Sequence, residues 1–397
     1  MTSPLNSQMN TACITGWAHT PFGKLVDEDA ESLIVRVATD AIADAGLEPA
    51  DIDAIYIGTF NGGMSPQDFP ASLVLQASDD LRYKPVTRVE NACATGSAAI
   101  YQGVNAIRAG AARHVLCVGM EKMTACDTAT VGATLIKASY VAEEAVDGMT
   151  FPGVFGQIAQ NYFQKYGDQS DALAMIAAKN HKNGSVNPLA HMQKDFGFDF
   201  CRTESEKNPY VARPLKRTDC SMVSDGAAAV VLSDLDASQN ADKAIAFRAM
   251  THINDFLPMS KRDIVAFEGP KLAWAKTLEA ANLTLDDLSF VETHDCFTIA
   301  ELIEYEAMGL VEPGQGVRAI KEGWTQKDGK LPVNPSGGLK AKGHPVGATG
   351  VSMHVMAAMQ LTNSAGGCQI DGAKLGGVFN MGGAAVANYV SVLEPLK

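Results

Sequence analysis

The stretch RVENACATGSAAI, residues 88–100, reads as a strand that turns into a helix. A β-type run leads into it, and the Gly, Ser and Ala residues after Cys93 suit a closely packed helix. Cys93 therefore falls at a strand-to-helix turn, where the positive helix end favours a thiolate and lowers the thiol pKa. The signature returns later: CATG (93–96) aligns with GATG (347–350), an offset of 254. Two further pairs keep the same order. AGLEPADIDAIYIG (45–58) aligns with ANLTLDDLSFVETH (281–294) at 236, and GAAA (226–229) with GAAV (383–386) at 157. Ordered repeats of this kind mark a duplicated unit. The offset falls by 254 − 157 = 97, so the first half carries about 97 residues that the second lacks, between Gly96 and Gly226. Residues 122–218 break the repeat with two amphipathic helical stretches, 154–166 and 171–182, and a polar, aromatic run from Asn183 to Arg217. They read as an insertion on a duplicated core.

Around these repeats, helical and strand patterns alternate. Leu33, Ile34, Val37, Ala38, Ala41 and Ile42 recur at helical spacing, whereas 113–120, 227–233, 376–381 and 386–393 read as buried strands. Alternation of this kind predicts a mixed α/β layer architecture. The 397 residues suit two or three domains, and 46% hydrophobic content suits a large core. A net charge of −13 argues against nucleic acid and against an anionic membrane surface as partners. Eight scattered cysteines without a CxxC pair fit a reducing compartment. The first residues, MTSPLNSQMNTACITG, show no basic and apolar leader pattern, and no apolar run approaches the ~20 residues of a membrane span. The cytoplasm is the expected location.

Three more segments carry reactive residues. In PSGGLKAKGHPVGATG, five glycines surround His344, a candidate general base in a loop that lets backbone approach a substrate. His344 and Pro345 stand where a phosphate-cradling loop needs Lys and Ser/Thr, so that reading is not supported. In ETHDCFTIAEL, His294, Asp295 and Cys296 lie between a strand and a helix near 298–309. A thiol beside an imidazole there suits acid/base or nucleophilic work; a metal site would want further ligands at regular spacing, so no metal is expected. In GGVFNMGGAAV, Gly382 and Gly383 either turn a hairpin or expose a backbone N–H to a ligand.

At these four loops the chain resembles the thiolases, over essentially its full length. NACATGS resembles the nucleophile motif and GHPVGATG the catalytic-histidine motif. Two departures refine the resemblance. His294-Asp295-Cys296-Phe297 stands where ordinary thiolases carry an Asn-Glu-Ala-Phe type motif, and Asn380-Met381-Gly382-Gly383 stands for their Cys-x-Gly-Gly. The second thiol has moved between loops, as in the sterol-carrier-protein type thiolases. The resemblance implies a duplicated βαβαβαββ core in a five-layered αβαβα arrangement. Its divisions would be 1–121 and 219–240 for the first half, 122–218 for an inserted loop domain, and 241–397 for the second half.

By the same resemblance, Cys93 attacks an acyl-CoA thioester while His344 takes its proton, and Cys296 moves the α-proton of a second acyl-CoA. The product is a 3-ketoacyl-CoA, or its thiolysis products in reverse. One oxyanion would meet Cys93 and Gly382 backbone N–H groups; the other would meet His344 and a water held by His294. Arg213, Lys216 and Arg217 are the candidates for CoA phosphate contact, and Met149 and Phe155 for the acyl pocket. CoA is a substrate, so no cofactor is implied. A homodimer or dimer of dimers is expected, and a small OB-fold partner subunit accompanies some relatives. The alternative is a thiolase-fold aldol lyase or a partner-dependent acyltransferase acting on a larger CoA ester; the full set of two thiols and a histidine argues against the lyase, and Cys296 argues against a ketoacyl synthase.

Overall fold

The computed structural model describes residues 11–396, so the opening stretch read for a leader lies mostly outside it. Nine strands form one mixed sheet: β1 Cys13–His19, β2 Ala54–Gly58, β3 Val86–Val89, β4 His114–Glu121, β5 Gly226–Ser233, β6 Ile245–Asn254, β7 Phe290–Glu292, β8 Gly376–Gly382 and β9 Ala387–Pro395. Their spatial order is β3-β2-β4-β5-β1-β6-β9-β8-β7. The duplication is visible in it. β2 lies parallel between β3 and β4, followed by antiparallel β5 and β1. In the second half β7 lies parallel to β8, followed by antiparallel β9 and β6, and Val333 bridges Val291 where β3 stands in the first. The halves meet where β1 pairs with β6 at Cys13 and Ile14.

Period-2 alternation distributes β4 between two cores. Leu116, Val118 and Met120 face α1 (Ala30–Asp44), whose Leu33, Ile34, Val37 and Ile42 are buried there, while Val115 and Cys117 face the other way. Each such aliphatic side chain stabilises the layer by about 1.5–3 kcal/mol. Asp29 starts α1 by accepting from Ser32 N at 2.8 Å while Ser32 Oγ accepts from Asp29 N, a reciprocal cap. Helices α2 (Thr95–Arg108) and α7 (Thr349–Leu361) pack on one another between the halves, and α7 touches strands of both.

The repeat alignment holds at Ala54/Phe290 and at Thr95/Thr349, which open equivalent elements. The third match is out of step: GAAA opens β5 at Gly226, but GAAV is the turn before β9. Between β4 and β5 lie α3 (Phe151–Tyr166), α4 (Ser170–Gly184) and a hairpin of Tyr210–Ala212 with Leu215–Lys216. α4 packs on the second half, against α6 (Thr298–Ala307) and the short helix Gly338–Lys342. No helix among the described residues is long and apolar enough to cross a membrane.

Candidate active site

Cys93 sits in a tight turn between β3 and α2. Asn91 N donates to Thr95 Oγ1 at 2.8 Å, and Ala92 takes a left-handed φ of 48°, which turns the chain sharply into the helix. Gly382 packs flat against this turn; a Cβ there would lie 2.2 Å from Asn91 O, so only glycine fits. The next residue, Gly383, offers its backbone N–H to the Cys93 thiol. The helix-end argument expects a lowered thiol pKa. Burial instead pushes Cys93 up to about 12, and the Gly383 N–H only partly offsets it.

The N-termini of α2 and α7 meet at two equivalent glycines. A Cβ on Gly96 would lie 2.6 Å from Val351 N, and one on Gly350 would lie 2.2 Å from Ser97 N. This contact brings the His344 loop to Cys93. His344 Nδ1 lies 2.7 Å from Thr349 Oγ1, whose hydroxyl donates to Pro345 O at 2.9 Å. The hydroxyl proton being committed, Thr349 accepts from Nδ1–H, and Nε2 keeps its lone pair. Burial, with the Lys342 charge second, lowers His344 to about 3 and keeps it neutral. Glu121, at the end of β4, fixes the loop from behind. It accepts from Gly347 N at 2.9 Å, Phe60 N and Asn61 N at 2.8 Å, and Thr59 Oγ1 at 3.1 Å.

The third loop joins β7 to α6. His294 and His344 stand edge to face with ring centroids 5.2 Å apart. A ligand-type atom of each, with Cys93 Sγ, falls within 4.8 Å of the others. This trio is the one group of metal-ligand reach found among the described residues. Asp295 accepts from Leu339 N at 2.6 Å, Lys340 N at 3.1 Å and Asn180 Nδ2 at 2.7 Å, tying this loop to the segment before His344. Burial first, then Glu301, pushes Asp295 up to about 7. Ser221 N holds Cys296 O at 2.8 Å. Burial, the Cys93 thiol and Glu304 hold the Cys296 thiol well above its ordinary pKa. Cys93, Cys296 and His344 line one pocket, walled by Met123, Leu135, Phe151, Pro152 and Phe297.

Several sequence expectations are corrected by position. Lys216 is 2% exposed, with Nζ 3.4 Å from Asp219, and does not face a phosphate; Arg213 and Arg217 are exposed. Phe155 is fully buried behind the pocket, stacked on Phe297 at 4.4 Å, and Met149 is 38% exposed outside it. Phe151, one turn before Phe155 on α3, lines the pocket instead. Sequence reasoning gave no role to Glu121, Thr349 or Asp295. An Asp between two reactive residues was the only signal for the last.

Residues 12–236 match the family model described as thiolase, N-terminal domain, and 253–395 the one described as thiolase C-terminal domain-like. The acetyl-CoA acetyltransferase of Methanothermobacter thermautotrophicus is 37% identical over 388 residues, covering 97% of this chain and all of that protein. Human sterol carrier protein 2 is 32% identical over 377 residues, covering 90% of this chain and 67% of that one. Among solved structures, the Ltp2-ChsH2(DUF35) aldolase superposes with a TM-score of 0.85 at 20% identity, over 98% of both chains. Human mitochondrial 3-ketoacyl-CoA thiolase in complex with CoA superposes with a TM-score of 0.73 at 18% identity, over 98% of this chain and 99% of that one.

Proposed function

The chain belongs to the thiolase family, and from that premise we propose that it transfers acyl groups between CoA and 3-ketoacyl-CoA through an acyl-enzyme on Cys93. One observation carries the reading: two thiols and a neutral imidazole with a free Nε2 lone pair line the same apolar pocket. In the thiolytic direction, Cys93 Sγ attacks the 3-keto carbon and His344 Nε2 takes its proton. The bond between the α and β carbons breaks, leaving the acyl group on Cys93. The Cys296 thiol, held protonated by its surroundings, gives its proton to the departing carbanion. The Cys296 thiolate then deprotonates incoming CoA, whose sulfur attacks the acyl-cysteine. Cys93 leaves as a thiolate and recovers its proton from His344. Protons and charges balance over the cycle. The Cys93 N–H and the Gly382–Gly383 turn serve the oxyanion on the acyl carbon, and His294 with His344 the enolate oxygen.

Exposed Arg213 and Arg217 are the proposed CoA phosphate contacts. A homodimer is supported by β3, which among the described residues pairs only with β2 and leaves its other edge unpaired beside exposed Tyr83 and Phe69. The test is loss of acetoacetyl-CoA on adding CoA, with wild type beside Cys296→Ala. Cleavage by wild type and a loss of ~100-fold or more in the variant is expected. Wild type inactive on short and long 3-ketoacyl-CoA, but cleaving an aldol adduct of a CoA ester, would move the protein to the lyases.

A further inference from the structure

Asn380 stands where the family's second thiol is replaced, and its hydrogen bonds define a task for it. One side-chain amide atom lies 3.1 Å from Cys93 O and 2.8 Å from His294 Nδ1. A backbone carbonyl oxygen only accepts, so the atom facing Cys93 O is the NH2 group. The same NH2 faces His294 Nδ1, which must therefore accept and carry no proton. The proton of neutral His294 is then on Nε2. That atom is buried, has no hydrogen-bond partner among the described residues, and belongs to a ring edge-to-face with His344. The ring is fully buried, and burial, with His344 second, lowers it well below its ordinary pKa, so one proton is all it carries.

We infer that Asn380 is a positioning residue that fixes the tautomer of His294, so that His294 presents Nε2–H directly to the oxyanion of the substrate. The two imidazoles then hold opposite tautomers for opposite tasks. His344, donating Nδ1–H to Thr349, keeps a basic Nε2; His294, accepting from Asn380, keeps an acidic one. No bridging water is needed at His294, which replaces the arrangement expected from the family resemblance. With Nε2 protonated, His294 offers no lone pair to a metal ion at that atom. Gly350 leaves the room: a Cβ there would lie 2.5 Å from Asn380 Oδ1.

This inference rests on the acyl-transfer reading, and two measurements separate the failure of each. Nitrogen-15 NMR of histidine-labelled wild type, with the His294 signals assigned through His294→Ala, reads the tautomer without any turnover. A protonated Nε2 and bare Nδ1 are expected; the reverse tautomer overturns the inference even if thiolysis is normal. The second measurement is thiolysis by Asn380→Asp. A carboxylate accepts from Nδ1–H and turns a lone pair of Nε2 to the oxyanion, so the donor is lost and the rate should fall by ~10²–10³. In a His294→Ala background the same change should cost less than ~3-fold, because the donor is already gone. Full multiplication of the two losses, or a near-wild-type Asn380→Asp, overturns the inference. A wild type lacking thiolysis but showing the expected tautomer sinks only the acyl-transfer reading.

Discussion

At Cys93 two effects oppose one another. A helix N-terminus favours the thiolate by about 0.3–1 kcal/mol, up to ~2 in partly buried geometries. Complete burial acts the other way and pushes the thiol from 9.0 to about 12, a difference of three units worth ~4 kcal/mol. Burial therefore wins, and the resting nucleophile is a thiol. Near neutral pH the thiolate fraction should be about 10⁻⁵. The perturbation is pH itself, and the assay is alkylation by iodoacetamide, followed by mass spectrometry on the peptide holding Cys93. The rate at Cys93 should climb about tenfold per unit from about pH 6 to about pH 10 without levelling. A plateau below about pH 9 would mean a stabilised thiolate. It would refute both the dominance of burial and the need for His344 as the base.

Other outcomes follow from the same geometry. His344→Gln removes a group whose folded pKa, about 3, lies below the unfolded 6.5, so the unfolded wild type binds the extra proton on acidification. Wild type should lose stability relative to the variant by ~1.4 kcal/mol per pH unit below pH 6.5, read by urea unfolding; an unchanged difference between pH 7 and 5 contradicts this. Glu121→Ala strands three backbone N–H groups and a hydroxyl, at about 1–3 kcal/mol for each one left buried and unsatisfied, so unfolding free energy should drop by at least ~3 kcal/mol. Gly350→Ala drives a Cβ to 2.2 Å from Ser97 N, and the forced parting of α2 and α7 should cost ~1–3 kcal/mol or more in thermal melts and lower thiolysis. Arg217→Ala should raise the KM for CoA, whereas Lys216→Met should cost ~3 kcal/mol of stability by removing the counter-charge of buried Asp219, which keeps only its hydrogen bonds from the residue-216 N–H and Thr298, with KM for CoA unchanged in the folded fraction.

The duplicated architecture was legible because hydrophobic period and glycine placement repeat together. Gly96 and Gly350 occupy equivalent contacts, and Thr95 and Thr349 open equivalent helices. That Cys93, His344 and Cys296 line one pocket agrees with the resemblance carried by their short motifs; taken alone, Cys93 reads equally as a buried structural thiol and His344 as part of a flexible turn. What the sequence concealed lies in contacts between segments far apart in the chain. Glu121 ends an apolar run and looks like the polar close of a strand; its partners come from residues 59–61 and 347. Lys216 belongs to a basic cluster that looks exposed, but Asp219, three residues on, draws it inside. Phe155 and Phe151 share a helix face, and only the packing of α3 on Phe297 decides which one meets the pocket. Asn380 lies in the buried strand β8, where its pattern says nothing of Cys93 or His294.

The central claim is an acyl-enzyme on one named sulfur. Cys296→Ala protein incubated with acetyl-CoA, then digested and mass-mapped, should carry a single acetyl group on the peptide containing Cys93, with one free CoA released per chain. Acetyl on another residue, or CoA release without any acetylated Cys93, would contradict it.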